Sequence, residues 1–326
     1  MDARRLVLTF ARRDRDRYSA YSRRIGSHHD RRISCEDSSS MKPAHFLMAL
    51  AVPVIWGLGF VFAKAALDWF PPILLIACRF AITALALVWF VKVPSGIWKQ
   101  LLLISIVSAT IQYSLTFTGL KSLDASTAVL IIQLEVPFMV IIAGVFLGER
   151  ITLVKVIGIV IAFVGVVLIA GSPSLDGMST PLLILLAGVL CFAIGQVMIR
   201  KLGYPHAFGL IAWMAVLAAP QLFLVSWFIE GNPLPYIKDA NITVWAALLY
   251  MGLVMTALGY GLWYKLLAHY PVPQVSPFLL LLPVVGAAGS MIFLGESMAP
   301  RTALGGAIVI AGVAWIVFQE RREQVS

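Results

Sequence analysis

Phe146-Leu147-Gly148-Glu149 recurs as Phe293-Leu294-Gly295-Glu296, 147 positions further along the chain. At the same offset Gly158 meets Gly305 and Gly165 meets Gly312. Pro137 answers Pro283 with a one-residue slip, and at an offset of 136 Trp56 and Lys64 answer Phe192 and Arg200. Such a chain has to fold as two copies of one unit, and the seam between copies is where a repeat protein of the membrane places its ligand.

That the unit belongs in a membrane follows from composition. Mean hydropathy is +0.91 and charged residues make up 13% of the chain, too few to cover a soluble domain of this size. From Met48 onward, apolar runs about as long as a bilayer crossing alternate with short polar or Pro/Gly breaks. Ten spans are expected, at about 46–66, 72–92, 99–119, 125–147, 151–170, 181–200, 206–229, 243–267, 273–294 and 301–319. Their apolar residues are continuous rather than alternating, which means helices and not barrel strands. The fold class is therefore all-α integral membrane, about ten transmembrane helices arranged as two inverted five-helix repeats, 46–170 and 181–318. A short tail, 319–326, follows. Five is an odd number of crossings, so the second copy enters the bilayer upside down relative to the first.

Residues 1–40 have a different character, with ten Arg against six acidic residues and no apolar period. They read as a disordered, dispensable extension, with Met41-Lys42-Pro43 a natural beginning before the first span. A net charge of +9 would suggest nucleic acid in a soluble protein; here it reads as topology. With the N-terminus inside, the inner loops and flanks receive Lys92, Lys99, Arg150, Lys155, Arg200, Lys201, Lys265, Arg321 and Arg322. The outer ones receive Lys64, Lys121, Lys238 and Arg301, so both termini are expected in the cytoplasm.

With the repeat and the spans established, the residues resemble a known family, the EamA-type transporters of the drug/metabolite transporter superfamily. One block is Leu134-Glu135-Val136-Pro137 with Phe146-Leu147-Gly148-Glu149 and Gly158…Gly165. Its counterpart is Leu282-Pro283-Val284-Val285 with Phe293-Leu294-Gly295-Glu296 and Gly305…Gly312. Trp56-Gly57-Leu58-Gly59-Phe60, Pro71-Pro72…Arg79-Phe80 and Gly259-Tyr260-Gly261-Leu262-Trp263 are also similar to this family. Among its members the chain looks most like bacterial exporters of cysteine and O-acetylserine-type metabolites. The resemblance implies a multi-pass protein of the cell inner membrane that exports small amino acids or related metabolites by alternating access. Drug, sugar-nucleotide or lipid-intermediate transport on the same fold stays open. The chain departs from the family pattern where Val136 separates Glu135 from Pro137, which displaces the expected kink by one residue.

Glu135 is the sharpest candidate for contact with cargo. A carboxyl near the middle of a span is costly unless it is paired, protonated or facing water, which makes it a candidate proton carrier. Pro137 and Pro283 each free the carbonyl four residues earlier, at Gln133 and Leu279, and these acceptors could take a substrate ammonium. Arg79, inside span two, could pair with a substrate carboxylate or with Glu135, or snorkel to an interface. Gln133, Gln196, Gln112 and Tyr260 offer neutral hydrogen-bond groups, and Trp56, Trp263 and Phe278 could wall a pocket. Glu149 and Glu296 read as structural, each placed to favour the N-terminus of the next helix. Gly158/Ala162 and Ala307/Ala311 are small-xxx-small pairs that allow close helix contact within one chain or in a homodimer.

Other classes lack their signatures. No Gly-x-Ser-x-Gly and no phosphate loop occur, so neither a serine hydrolase nor an ATP-driven pump is expected. Cys35, Cys78 and Cys191 share no metal spacing, and His45, His206 and His269 have no acidic partners at ligand spacing. No span carries the regular polar stripe of a channel. No metal and no cofactor are expected; the partners are a small-molecule substrate, the lipid bilayer and protons.

Overall fold

The computed structural model describes residues 41–325 apart from 95, 149–150, 173–174, 176, 203–206, 268 and 271–274. The expected disordered extension and Glu149 lie outside the described residues. Ten helices are long and apolar enough to cross a membrane. They are α1 Pro43–Leu67, α2 Pro72–Phe90, α3 Trp98–Ser122, α4 Ala125–Leu147 and α5 Leu153–Ala170, then α6 Ser179–Leu202, α7 Phe208–Ile229, α8 Ile242–Trp263, α9 Pro277–Leu294 and α10 Pro300–Gln319. Pro43 and Gln319 lie on one face, here called the terminal face. A five-residue helix, Leu234–Lys238, lies between α7 and α8.

The packing obeys the repeat. Helix α1 lies on α9 as α6 lies on α4, and α3 lies on α6 as α8 lies on α1. The pairs α2–α7, α4–α9 and α5–α10 bridge equivalent helices of the two copies. Each relation maps onto another when helix n is exchanged with helix n + 5, the pattern of a two-fold axis in the membrane plane.

Small residues set the closest of these contacts. A Cβ on Gly165 would lie 2.6 Å from the Gly305 carbonyl oxygen, and one on Gly158 would lie 2.9 Å from the Gly312 carbonyl oxygen. Lipid offers no hydrophobic drive between helices, so this backbone-to-backbone approach, through dispersion, is what holds α5 to α10. The contact runs through Gly158, Ala162 and Gly165 on one side and Gly305, Val309 and Gly312 on the other. Of the two places for close contact that the spacing of Ala307 and Ala311 allowed, the one within the chain is not taken: both are exposed on the opposite side of α10.

Apart from the single 3₁₀ turn Val88–Phe90 that ends α2, four spans among the described residues depart from regular α geometry, in two matched pairs. In α4 the helix Ala125–Ile132 ends in a turn at Gln133–Leu134 and restarts at Glu135. In α9 the opening turns Ser276–Leu280 are 3₁₀ and become α-helical at Leu281. Each break ends three residues before its proline, Pro137 or Pro283, because proline has no N–H to donate to the carbonyl four residues back and its ring clashes with that carbonyl. The carbonyls do not stay free as the proline rule suggested. Gln133 O accepts from Val136 N at 3.3 Å, and the Leu281 N–H is directed at the oxygens of Leu279 and Phe278. Tightening to a 3₁₀ turn satisfies them internally. The other pair is π-helical: Ile106–Ile111 in α3 and Tyr250–Leu258 in α8.

On the face opposite the termini, charges bind the two copies together. The Glu296 carboxylate accepts from Ala125 N at 2.7 Å, Ser126 N at 3.0 Å and Ser126 Oγ at 2.7 Å. It caps α4 and not α10, the next helix, as the sequence position implied. Asp124, the residue at the local cap position, makes no capping bond. Burial, with the Glu296 carboxylate nearby, pushes the Asp124 carboxyl up, while Lys64 pulls it partly back. Lys64 Nζ donates to the carbonyls of Leu120 at 3.1 Å and Lys121 at 2.7 Å, closing the C-terminus of α3. A second carboxylate, Glu230 at the end of α7, accepts from Ile73 N at 2.8 Å and Leu74 N at 2.9 Å and so caps α2. Both carboxylates sit where the helix dipole favours negative charge.

Candidate functional site

Half-way across the membrane lies a cavity of about 100 Å³ lined from both copies. The first copy contributes Trp56, Phe60, Arg79, Gln112, Tyr113, Thr116, Phe117, Ile132 and Glu135; the second contributes Val189, Phe192, Met255, Tyr260 and Leu282. A volume of this order holds about three waters or a small metabolite.

The π-turn of α8 builds one wall. Trp56 Nε1 donates to the Met255 carbonyl within that turn at 3.1 Å, and the indole lies 4.9 Å from the Tyr260 ring and 6.1 Å from Trp263. Gly259 makes room for it: a Cβ there would lie 2.5 Å from Trp56 Nε1. Gly57 does the same on the next face, where a Cβ would lie 2.9 Å from Leu282 O. The glycines of both aromatic motifs therefore serve to bring α1 against α8 and α9.

Arg79 is 1% exposed, so it does not snorkel. Its Nε and Nη2 donate to Thr256 Oγ1 at 3.1 and 3.0 Å, and the Thr256 hydroxyl in turn donates to Met251 O at 2.8 Å. The Tyr113 and Phe80 rings lie 5.1 and 5.8 Å from the guanidinium carbon. These are neutral neighbours; among the described residues no carboxylate pairs with it, and Nη1 is buried with no hydrogen-bond partner. Gln112, 5% exposed, donates through Nε2 to Thr116 Oγ1 at 3.1 Å, leaving its Oε1 buried and unpartnered. Buried polar groups are nearly always satisfied. An orphan donor and an orphan acceptor on two side chains that line one cavity therefore point to a ligand that supplies both partners once they turn to meet it. Glu135 lines the same cavity and makes no ion pair with Arg79.

Of the residues singled out from the sequence, Glu135, Arg79, Gln112, Tyr260 and Trp56 line this cavity, and Trp263 backs Trp56. Gln133 is buried but does not line it, and Gln196, one helical turn beyond Phe192, does not either. Thr256 and Tyr113 were not foreseen. A threonine and a tyrosine in apolar spans carry no local signal, and only their contact with Arg79 gives them meaning.

A ten-helix membrane protein with an inverted repeat and a polar cavity at its midplane belongs to the class of membrane transporters. The family model described as "EamA-like transporter family" matches residues 44–171 and again 179–318, and this chain belongs to that family. It is 31% identical over 283 residues to a "Probable amino-acid metabolite efflux pump" of Salmonella typhimurium, covering 83% of this chain and 94% of that protein. An Escherichia coli protein of the same name is 29% identical, with the same coverage. A "Probable terminal-alkyne amino-acid exporter" of Streptantibioticus cattleyicolor is 28% identical over 85% of this chain and 94% of its own. A solved crystal structure that covers 87% of this chain, itself covered completely, superposes with a TM-score of 0.60 at 18% identity and shows the same fold.

Proposed function

We propose that the chain is a secondary carrier exporting small amino acids or related amino-bearing metabolites, with the midplane cavity as its binding site. The observation that carries this reading is the pair of orphaned polar atoms, Arg79 Nη1 and Gln112 Oε1, on side chains that line a cavity shared by both copies. The small volume favours compact cargo over sugar nucleotides or lipid intermediates. The names of the relatives point in the same direction.

The cycle is alternating access in a bacterial inner membrane with both termini in the cytoplasm. Amino-bearing cargo enters from the cytoplasm and meets Glu135, the halves rock, and the cargo leaves outside. Glu135 then returns protonated, because a carboxyl sharing one small cavity with its cargo holds either a proton or the cargo's ammonium. Glu135→Gln keeps shape and hydrogen bonding but cannot titrate. In proteoliposomes it is expected to lose the pH dependence of amino-acid flux while retaining downhill exchange. Full, pH-sensitive transport by the Gln variant would make Glu135 structural.

Orientation has its own test. Single cysteines at Glu149 and Glu296 are expected to react with an impermeant maleimide from opposite sides, Glu149→Cys only from the cytoplasm. Labelling of both from one side would overturn the inverted arrangement.

A further inference from the structure

The second copy of the fold acts as an internal control on the first, and it shows which side chains the fold itself requires. Thr110, in the π-turn of α3, and Thr256, in the π-turn of α8, are 146 positions apart, as are Pro137 and Pro283. Thr256 receives Arg79 from α2; Thr110 donates to Gln221 Oε1 from α7 at 2.6 Å, and Gln221 Nε2 donates to Ser105 Oγ at 2.9 Å. Helices α2 and α7 are equivalent, so Gln221 makes in the second copy the contact that Arg79 makes in the first. A neutral side chain thus serves to bridge the threonine of a π-turn. Likewise Leu281, 146 positions after Glu135 and like it the first helical residue after the break, carries no charge. The fold needs an arginine at neither bridge and a carboxylate at neither break. Yet the first copy carries one of each, at the cost of bringing charge into the bilayer interior.

Resting on the carrier reading above, we infer that the cavity recognises a zwitterion by its two ends. Arg79 Nη1 takes the free carboxylate, and Gln112 Oε1 with Glu135 takes the free ammonium. Both charges come from one copy, so the cargo lies in one fixed orientation across the pseudo-two-fold. A cargo missing either end leaves a protein charge uncompensated in a low-dielectric site, where an unpaired charge is costly. The carrier therefore rejects amines and simple carboxylates that are smaller than its true cargo and would fit on size alone.

The test uses the purified full-length chain in proteoliposomes with the twenty L-amino acids as labelled probes. Each is competed by the amine that lacks its carboxylate and by the acid that lacks its amine. The wild type is expected to bind at least one amino acid about ten- to a hundredfold more tightly than either fragment, the range for a hydrogen bond to a charged group. Arg79→Gln, which copies the residue of the second repeat, is expected to lose that margin against the amine but keep it against the acid. Glu135→Gln is expected to do the reverse. The reciprocal shift is something a purely structural role would not produce, and either variant alone suffices if the other does not fold. If the wild type handles no amino acid, the carrier reading fails. If it handles one but is inhibited equally by both fragments, or if the variants weaken binding without changing the preference, the two-ended site is wrong.

Discussion

Gly165→Leu is expected to yield no monodisperse protein in detergent. A Cβ at this position would lie 2.6 Å from Gly305 O and 2.7 Å from Val309 N, and both are backbone atoms that cannot rotate away. The only relief is to separate α5 from α10, which gives up the contact holding α10 to its own equivalent in the first copy. Even Gly165→Ala should lower the melting temperature, at a cost of about 1–3 kcal/mol for one methyl forced into a packed contact. Ala307→Leu provides the control on the same helix. Ala307 is exposed on the far side of α10, and its replacement should leave elution profile and melting unchanged. Equal damage from both substitutions would mean that α10 presents another face to α5.

The second large effect is expected at Glu296. Its carboxylate satisfies two backbone N–H groups and one hydroxyl at the start of α4, and Asp124 at the local cap position makes no such bond. Glu296→Ala leaves all three donors without their acceptor. A lost cap costs about 0.5–2 kcal/mol and a lost bond to a charged group about 1.5–3 kcal/mol, so the total should exceed 2 kcal/mol. Thermal unfolding followed by fluorescence-detected size exclusion should show a clear drop, with Glu296→Gln recovering part of it through its remaining oxygen. An unchanged midpoint in the alanine variant would show that water replaces the carboxylate at no cost.

Much of the architecture could be read directly from the chain. Ten apolar runs of the right length admit few alternatives, and the doubled Phe-Leu-Gly-Glu gives the repeat without any structure. Arg79 and Glu135 stand out for a physical reason, since charge inside a span has to be compensated by something. Gln133 does not line the cavity for an equally physical reason: it sits in the turn that breaks α4, buried outside the cavity that Glu135 lines from the restarted helix. The partners of Glu296 and Glu230 could not be read at all. They lie 170 or more and 156 or more residues away along the chain, and no local pattern announces which helix end a distant carboxylate will cap. The π-turns were equally silent, because the residues that form them have the same apolar composition as their neighbours.

Those π-turns also record a history. A π-turn is what an α-helix becomes when one residue is added without changing where its ends lie. Ile106–Ile111 and Tyr250–Leu258 occupy matching helices of the two copies, each with a threonine bridged from the neighbouring equivalent helix. The simplest ancestry is a single insertion in a half-length gene, inherited by both halves when that gene duplicated and fused. Arg79 and Glu135 belong to one half only, so the two descendants have diverged in charge at the site while keeping the turn they share.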